Sequence, residues 1–223
     1  MQKRFDFTEL SIVIVAENHN PTILNPDFLK FNEIVPKEWV VSKPPLCAHP
    51  VSQVEYENGM KITAELNKLI FFTPKLASNH SETNISDIAK RYVDTLRHVY
   101  YKAVGINPRG HFNFDNKDSL TNYFVNSLLS KGAWADFCGG VRSISIKLRY
   151  ELDSVIYNIG IDQASLREDK AKEENLLRIS GNFHHSIDSN HIAESYKKVA
   201  EIIDNIDSDL DQCSNFCKLL PEA

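Results

Sequence analysis

Ser143-Ile144-Ser145-Ile146-Lys147-Leu148-Arg149-Tyr150-Glu151-Leu152 alternates polar and apolar side chains without a break. A strand points successive side chains to opposite faces, so this stretch predicts a strand with one face buried and the other in water. Strands of a parallel sheet, covered on both faces, read instead as continuous apolar runs. An antiparallel sheet with a single covered face is therefore expected. The neighbouring sequence continues the pattern. Asp153-Ser154 turns the chain, Val155 to Ala164 forms the next strand, and the charge run Glu168 to Glu174 forms a solvated loop. Leu176 to His184 then closes a three-strand meander with Leu177, Ile179, Gly181 and Phe183 on one side.

An earlier stretch, Ser52 to Pro74, repeats this arrangement. Val54 and Tyr56 alternate up to Asn58-Gly59, read as a type I′ turn because both residues tolerate positive φ. Met60, Ile62, Ala64 and Leu66 follow on one face, and Asn67-Lys68 leads into Leu69 to Thr73. Ahead of this meander, Leu10 to Ala16 is β-branched and apolar on both faces, a buried strand. The segment from Asn18 to Pro50 holds six prolines together with Phe28, Phe31 and Trp39. Proline fixes φ and removes a donor, so this segment reads as an ordered irregular arm with one helical turn at Asp27 to Phe31.

Helical spacing follows each meander. After a polar loop over Leu76 to Thr83, Ser86 caps a helix whose stripe is Ile88, Tyr92 and Leu96. Tyr100 to Ile106 is a strand, Asn107-Pro108-Arg109-Gly110 a turn with proline at its second position, and His111 to Phe114 is extended. Asp115 or Asn116 caps a helix carrying Leu120, Phe124, Leu128 and Leu129. The last element is one long helix from about Asn190 to Leu220. Its apolar residues fall at Ile192, Tyr196, Val199, Ile203, Ile206, Leu210, Cys213, Cys217 and Leu220, a sustained heptad stripe. At about 1.5 Å per residue such a helix is about 45 Å long. It either follows a curved sheet along its length or pairs with another helix.

The expected fold is α+β: antiparallel meanders packed against helices, ending in a long C-terminal helix. The chain reads as a single unit over residues 1–223, with two meander-and-helix halves at about 1–114 and 115–223.

The 223 residues carry a net charge of −5, against the cationic face that a general nucleic-acid binder needs. No apolar run reaches the roughly 18 residues that span a bilayer, and Glu17-Asn18-His19-Asn20 stands where a signal peptide would have its cleavage site. The cysteines, Cys47, Cys138, Cys213 and Cys217, do not form a secreted disulfide framework, so the cytoplasm is the expected compartment.

No phosphate-binding loop, dinucleotide fingerprint or nucleophile elbow occurs. Cys213 and Cys217 have a spacing that can chelate a metal, but they occupy core positions of the helical stripe and read as core filler. His184-His185 and His191 match no familiar metal-binding spacing, so neither a metal site nor a cofactor is expected. The Asn107–His111 stretch is the most suggestive, since a fixed turn there presents Arg109 beside His111, and arginine binds carboxylate or phosphate bidentately. Asn107, Arg109, His111 and His184 are the candidate ligand-binding residues. The outer face of the second meander, Lys147, Arg149 and Glu151 with Arg178 and His184, could serve as a recognition surface. Its mixed signs and lack of interleaved aromatics favour a solvated face and make it a poor candidate for nucleic acid.

Three segments carry a resemblance: Ser11 to Pro36 with its Asn20-Pro21 and Asn25-Pro26 steps, Val104-Gly105-Ile106-Asn107-Pro108-Arg109-Gly110, and Ser180-Gly181-Asn182-Phe183. On these the chain resembles, over most of its length, a family of uncharacterised bacterial hypothetical proteins, mainly cyanobacterial. The resemblance implies a bacterial, cytosolic, single-unit protein and brings no catalytic residue, substrate or cofactor with it. The expected function is a non-enzymatic interaction or accessory protein, working through a protein partner or self-association along the C-terminal helix. The alternative is a small-molecule-binding or enzymatic protein with a pocket between the sheet and that helix.

Overall fold

In the computed structural model, residues 5–74, 85–152, 154–169, 172–189 and 191–220 are described. The polar loop expected over residues 76–83 lies outside them. The elements run β1 (Asp6–Glu17), α1 (Pro26–Phe31), β2 (Leu46–Cys47), β3 (Val51–Glu55), β4 (Lys61–Glu65), β5 (Lys68–Thr73) and α2 (Ile85–Thr95). After these come β6 (Tyr100–Phe114), α3 (Lys117–Tyr123), β7 (Ser145–Leu152), β8 (Val155–Asp169), β9 (Lys172–Ser186), α4 (Ile192–Asp204) and α5 (Ile206–Leu219).

All nine described strands join one sheet in the order β2-β3-β4-β5-β1-β6-β9-β8-β7, and every pair is antiparallel. The fold is α+β. The chain passes twice through a similar succession: a long strand, a short helix, a meander (β2–β5, then β7–β9) and a closing helical part (α2, then α4 and α5). The two long strands, β1 and β6, lie side by side at the centre, and each meander extends outward from its own long strand.

Alternation along the strands separates two faces. Leu10, Ile12, Ile14 and Ala16 of β1 are buried on the side that the helices cover, with Leu177, Ile179 and Phe183 of β9. There α2 packs on β1 and β5, α3 on β6 and β9, α4 on β6 and α2, and α5 on β6 and β9. The opposite side of β1 presents Glu9, Ser11, Val13 and Val15, so this strand is not buried on both faces.

Four local readings differ from the sequence expectation. Asn107–Gly110 is not a turn: β6 runs straight through it, with Leu10 opposite Pro108 on β1. Proline cannot donate to a ladder, and the paired register of β6 with β9 skips Asn107 and Pro108. The site opposite is Gly181, where a Cβ would come within 3.1 Å of the Pro108 ring. The first hairpin is not type I′ either. Only Gly59 has positive φ, and the Gly59 N–H donates to the Tyr56 carbonyl, closing a three-residue loop. In the second meander, strand continues through much of the charge run, to Asp169 and again from Lys172.

The fourth difference is the C-terminal helix, which is divided at Asn205. The Asn205 side chain donates to the Glu201 carbonyl at 2.8 Å, a local competitor for helix carbonyls that allows the axis to bend. Across the break the stripe stays on the sheet. Val199, Ile203, Ile206, Cys213 and Cys217 are all buried in the core, while Ile192, at the first turn, is 45% exposed. No helix among the described residues is long and apolar enough to cross a membrane.

Candidate binding trough

The helix-free face of the sheet carries a trough of about 770 Å3. It crosses six adjacent strands: β5 (Ile70, Phe72), β1 (Glu9, Ser11, Val13), β6 (Asn107–Arg109), β9 (Ser180–Asn182), β8 (Asn158–Gly160) and β7 (Lys147–Arg149). Five strand spacings of about 4.8 Å make it about 24 Å long, measured along the sheet.

Its floor is a chain of asparagines. The Asn182 amide donates to Asn107 Oδ1 at 2.6 Å, and the Asn158 amide donates to Asn182 Oδ1 at 3.3 Å. Asn107 is itself anchored, its amide donating to the carbonyls of Gly105 at 3.1 Å and Ser11 at 3.3 Å. An amide has two N–H donors and two oxygen lone pairs. The ladder thus uses part of its capacity on itself and leaves Asn158 Oδ1 and a second Asn182 N–H for a ligand.

Beside the ladder lies a parallel rank of Glu9, Arg109, Ser180, Gly160 and Lys147, aligned by the registers of their strands. Arg109 is ion-paired with Glu9. At Gly160 a Cβ would approach Ser180 Oγ to 2.6 Å, so the glycine leaves room for the serine hydroxyl in its present position. Lys147 faces this gap from the exposed edge strand and has no ion-pair partner among the described residues. Arg149 stands two residues on, 3.9 Å from Glu151. Three cations against one carboxylate make the trough cationic on a chain whose net charge is −5.

Of the four residues singled out from the sequence, Asn107 and Arg109 line the trough. His111 and His184 share its face but lie outside it, opposite Arg178 and Gly105 respectively. His111 is not brought beside Arg109 by a turn, because both belong to one extended strand. His185 points to the helix side, where its Nε2 pairs with Asp209 of α5 at 2.8 Å. Asn158, Asn182, Ser180 and Lys147 were not among the candidates. Their signal is compositional: asparagine and glycine are depleted from strands, yet they recur mid-strand at Asn107, Asn158, Gly160, Gly181 and Asn182.

The trough lies on the opposite face from the C-terminal helices, where a pocket was expected. Under α5 the described side chains are closely packed. Tyr157 stacks on Phe183 with ring centres 3.8 Å apart, and Cys213 and Cys217 are buried over them. Burial pushes the Tyr157 phenol up, and the hydrogen bond with Cys213 together with burial pushes the Cys217 thiol up. Both groups stay protonated. Compared with protein-family models, with curated proteins and with solved structures, the chain matches none.

Proposed function

We propose that this protein is a non-enzymatic accessory protein of the bacterial cytosol that recognises a protein partner in the trough rather than along its C-terminal helix. The observation that carries this reading is the cross-strand ladder Asn107–Asn182–Asn158 on the floor of a six-strand trough. Its amides, serine hydroxyl and charged side chains are groups that bind and orient a ligand through hydrogen bonds and charge. A site about 24 Å long also suits an extended chain of about seven residues at roughly 3.3 Å each. The burial of Val199, Ile203, Ile206, Cys213 and Cys217 supports this choice of the trough over the helical stripe, which was the docking element expected from the sequence.

The test is selection of a displayed heptapeptide library on the intact chain, followed by NMR of the complex. Enriched peptides are expected to shift the side-chain amide resonances of Asn107, Asn158 and Asn182. Peptides that shift α4 and α5 resonances instead, or a library that yields no enriched sequence, would remove the trough as the recognition surface.

A further inference from the structure

The two ends of the trough differ in chemistry, and this polarity selects its occupant. At the β5 end, Val13, Ile70 and Phe72 form a half-buried apolar wall, with Val13 opposite Ile70 and Ser11 opposite Phe72. Lys61 lies over the Phe72 ring at 4.9 Å. Opposite Lys61 is Glu55, whose carboxylate is held by Lys43 at 2.6 Å. At the β7 end stand Lys147 and Arg149, both exposed, with Gly160 opposite Lys147 and Asn158 opposite Arg149. Lys147 has no ion-pair partner among the described residues, and Arg149 lies 3.9 Å from Glu151. Between the ends lie the asparagine ladder and the internally neutralised Glu9–Arg109 pair.

Resting on the reading of the trough as the recognition surface, we infer that the partner segment is an extended acidic peptide with a fixed direction. One apolar side chain sits on Val13, Ile70 and Phe72, its main chain crosses the asparagine ladder, and its acidic side chains meet Lys147 and Arg149. Each part matches one region. Asparagine amides pair with peptide N–H and C=O groups without demanding a particular side chain, so affinity along the middle is sequence-tolerant. Discrimination is left to the ends. Lys147 and Arg149 complement acidic side chains and repel basic ones, which sets direction and partner choice more than bulk affinity. A small anion would use the β7 end and leave the apolar wall, four or five strands away, in water. Only a ligand of peptide length engages both.

Fluorescence anisotropy on the intact chain tests this with two labelled heptapeptides, one carrying phenylalanine at one end and two glutamates at the other, its control carrying two lysines instead. The acidic peptide is expected to bind about tenfold more tightly, the scale that two solvent-facing ion pairs supply, and to weaken as salt rises. In the Lys147→Glu/Arg149→Glu chain the preference should reverse toward the basic peptide. Both substitutions lie on the exposed side of an edge strand, and the reversal itself shows that the variant is folded. Equal binding of the two peptides, or a preference that the charge reversal does not move, overturns the inference. If library-selected peptides still shift the asparagine resonances in that case, the trough reading survives alone. Displacement of the acidic peptide by an equal concentration of inorganic phosphate would mark the cations as a small-anion site and also overturn it.

Discussion

Asn182 is the central member of the ladder, donating to Asn107 and accepting from Asn158. Asn182→Ala removes both bonds and leaves two half-buried amides short of a partner, at a cost of about 1–3 kcal/mol. Urea unfolding checks this as a lower midpoint with unchanged slope; an unchanged midpoint means that water serves the two amides equally well. On the helix side, His19 is the residue with a pH signature. Its Nε2 lies 3.0 Å from the Tyr92 hydroxyl, and burial holds its pKa below the ordinary 6.5. The neutral ring is the folded form. Below about pH 6.5 the unfolded chain binds a proton that the folded chain refuses, so stability declines as pH falls toward the lowered folded value and then levels off. Above that window the term is fully present. Urea midpoints at pH 7.5 and 5.5 should fall further for the native chain than for His19→Gln. Parallel losses in the two chains would put the acid sensitivity elsewhere.

The start of α3 was legible because capping chemistry is local, whereas Ser86, read as the cap of α2, lies inside that helix, which already includes Ile85. Asn116 was one of two caps expected for α3, and its Oδ1 accepts from the Ser119 N–H at 2.8 Å while Ser119 Oγ accepts in return from the Asn116 N–H. Asn116→Ala should cost about 1 kcal/mol and Asn116→Asp much less, read from thermal midpoints; equal effects of the two substitutions would deny the cap its role. Asn25, followed by Pro26, likewise caps the helical turn of the arm, accepting from the Phe28 N–H at 2.8 Å. The alternation Ile144 to Leu152 placed β7 almost to the residue, but the expected buried face is covered only in part. Ile146 and Leu148 are half-buried while Tyr150 and Leu152 are exposed, because β7 is the edge strand. Strand β6 was misread. Asn-Pro-Arg-Gly has a turn's local preference, and the extended form is imposed by β1 and β9 on either side, with Gly181 making room for the Pro108 ring. Long-range pairing overrode local propensity there. The break at Asn205 was hidden because the heptad stripe passes through it without losing its phase.

At the scale of the whole molecule, the trough exists only because six strands from both passages of the chain lie side by side, a juxtaposition that no single segment encodes. The same sheet decides the fate of the C-terminal helices. A stripe over Ile192 to Leu220 serves equally for self-association and for covering a sheet, and the burial of Val199, Ile203, Ile206, Cys213 and Cys217 assigns it to covering. The intact chain is therefore expected to show the 25.4 kDa mass of one copy in light scattering, independent of concentration. A chain ending at Asn205 keeps α4 but loses α5. Ile206, Cys213 and Cys217 leave the core, Leu210 and Phe216 cease to pack against it, and Tyr157 and Phe183 lose their cover. Each fully buried large apolar side chain is worth about 1.5–3 kcal/mol, and small domains are stable by only about 5–15 kcal/mol in total. The shortened chain should melt without a cooperative transition, or aggregate through the uncovered rings. The opposite result, a cooperative monomer that still binds the acidic peptide, would make α5 a detachable appendage whose apolar side is free for another partner. A concentration-dependent mass for the intact chain would return self-association to the remaining exposed positions, Ile192 and Leu219.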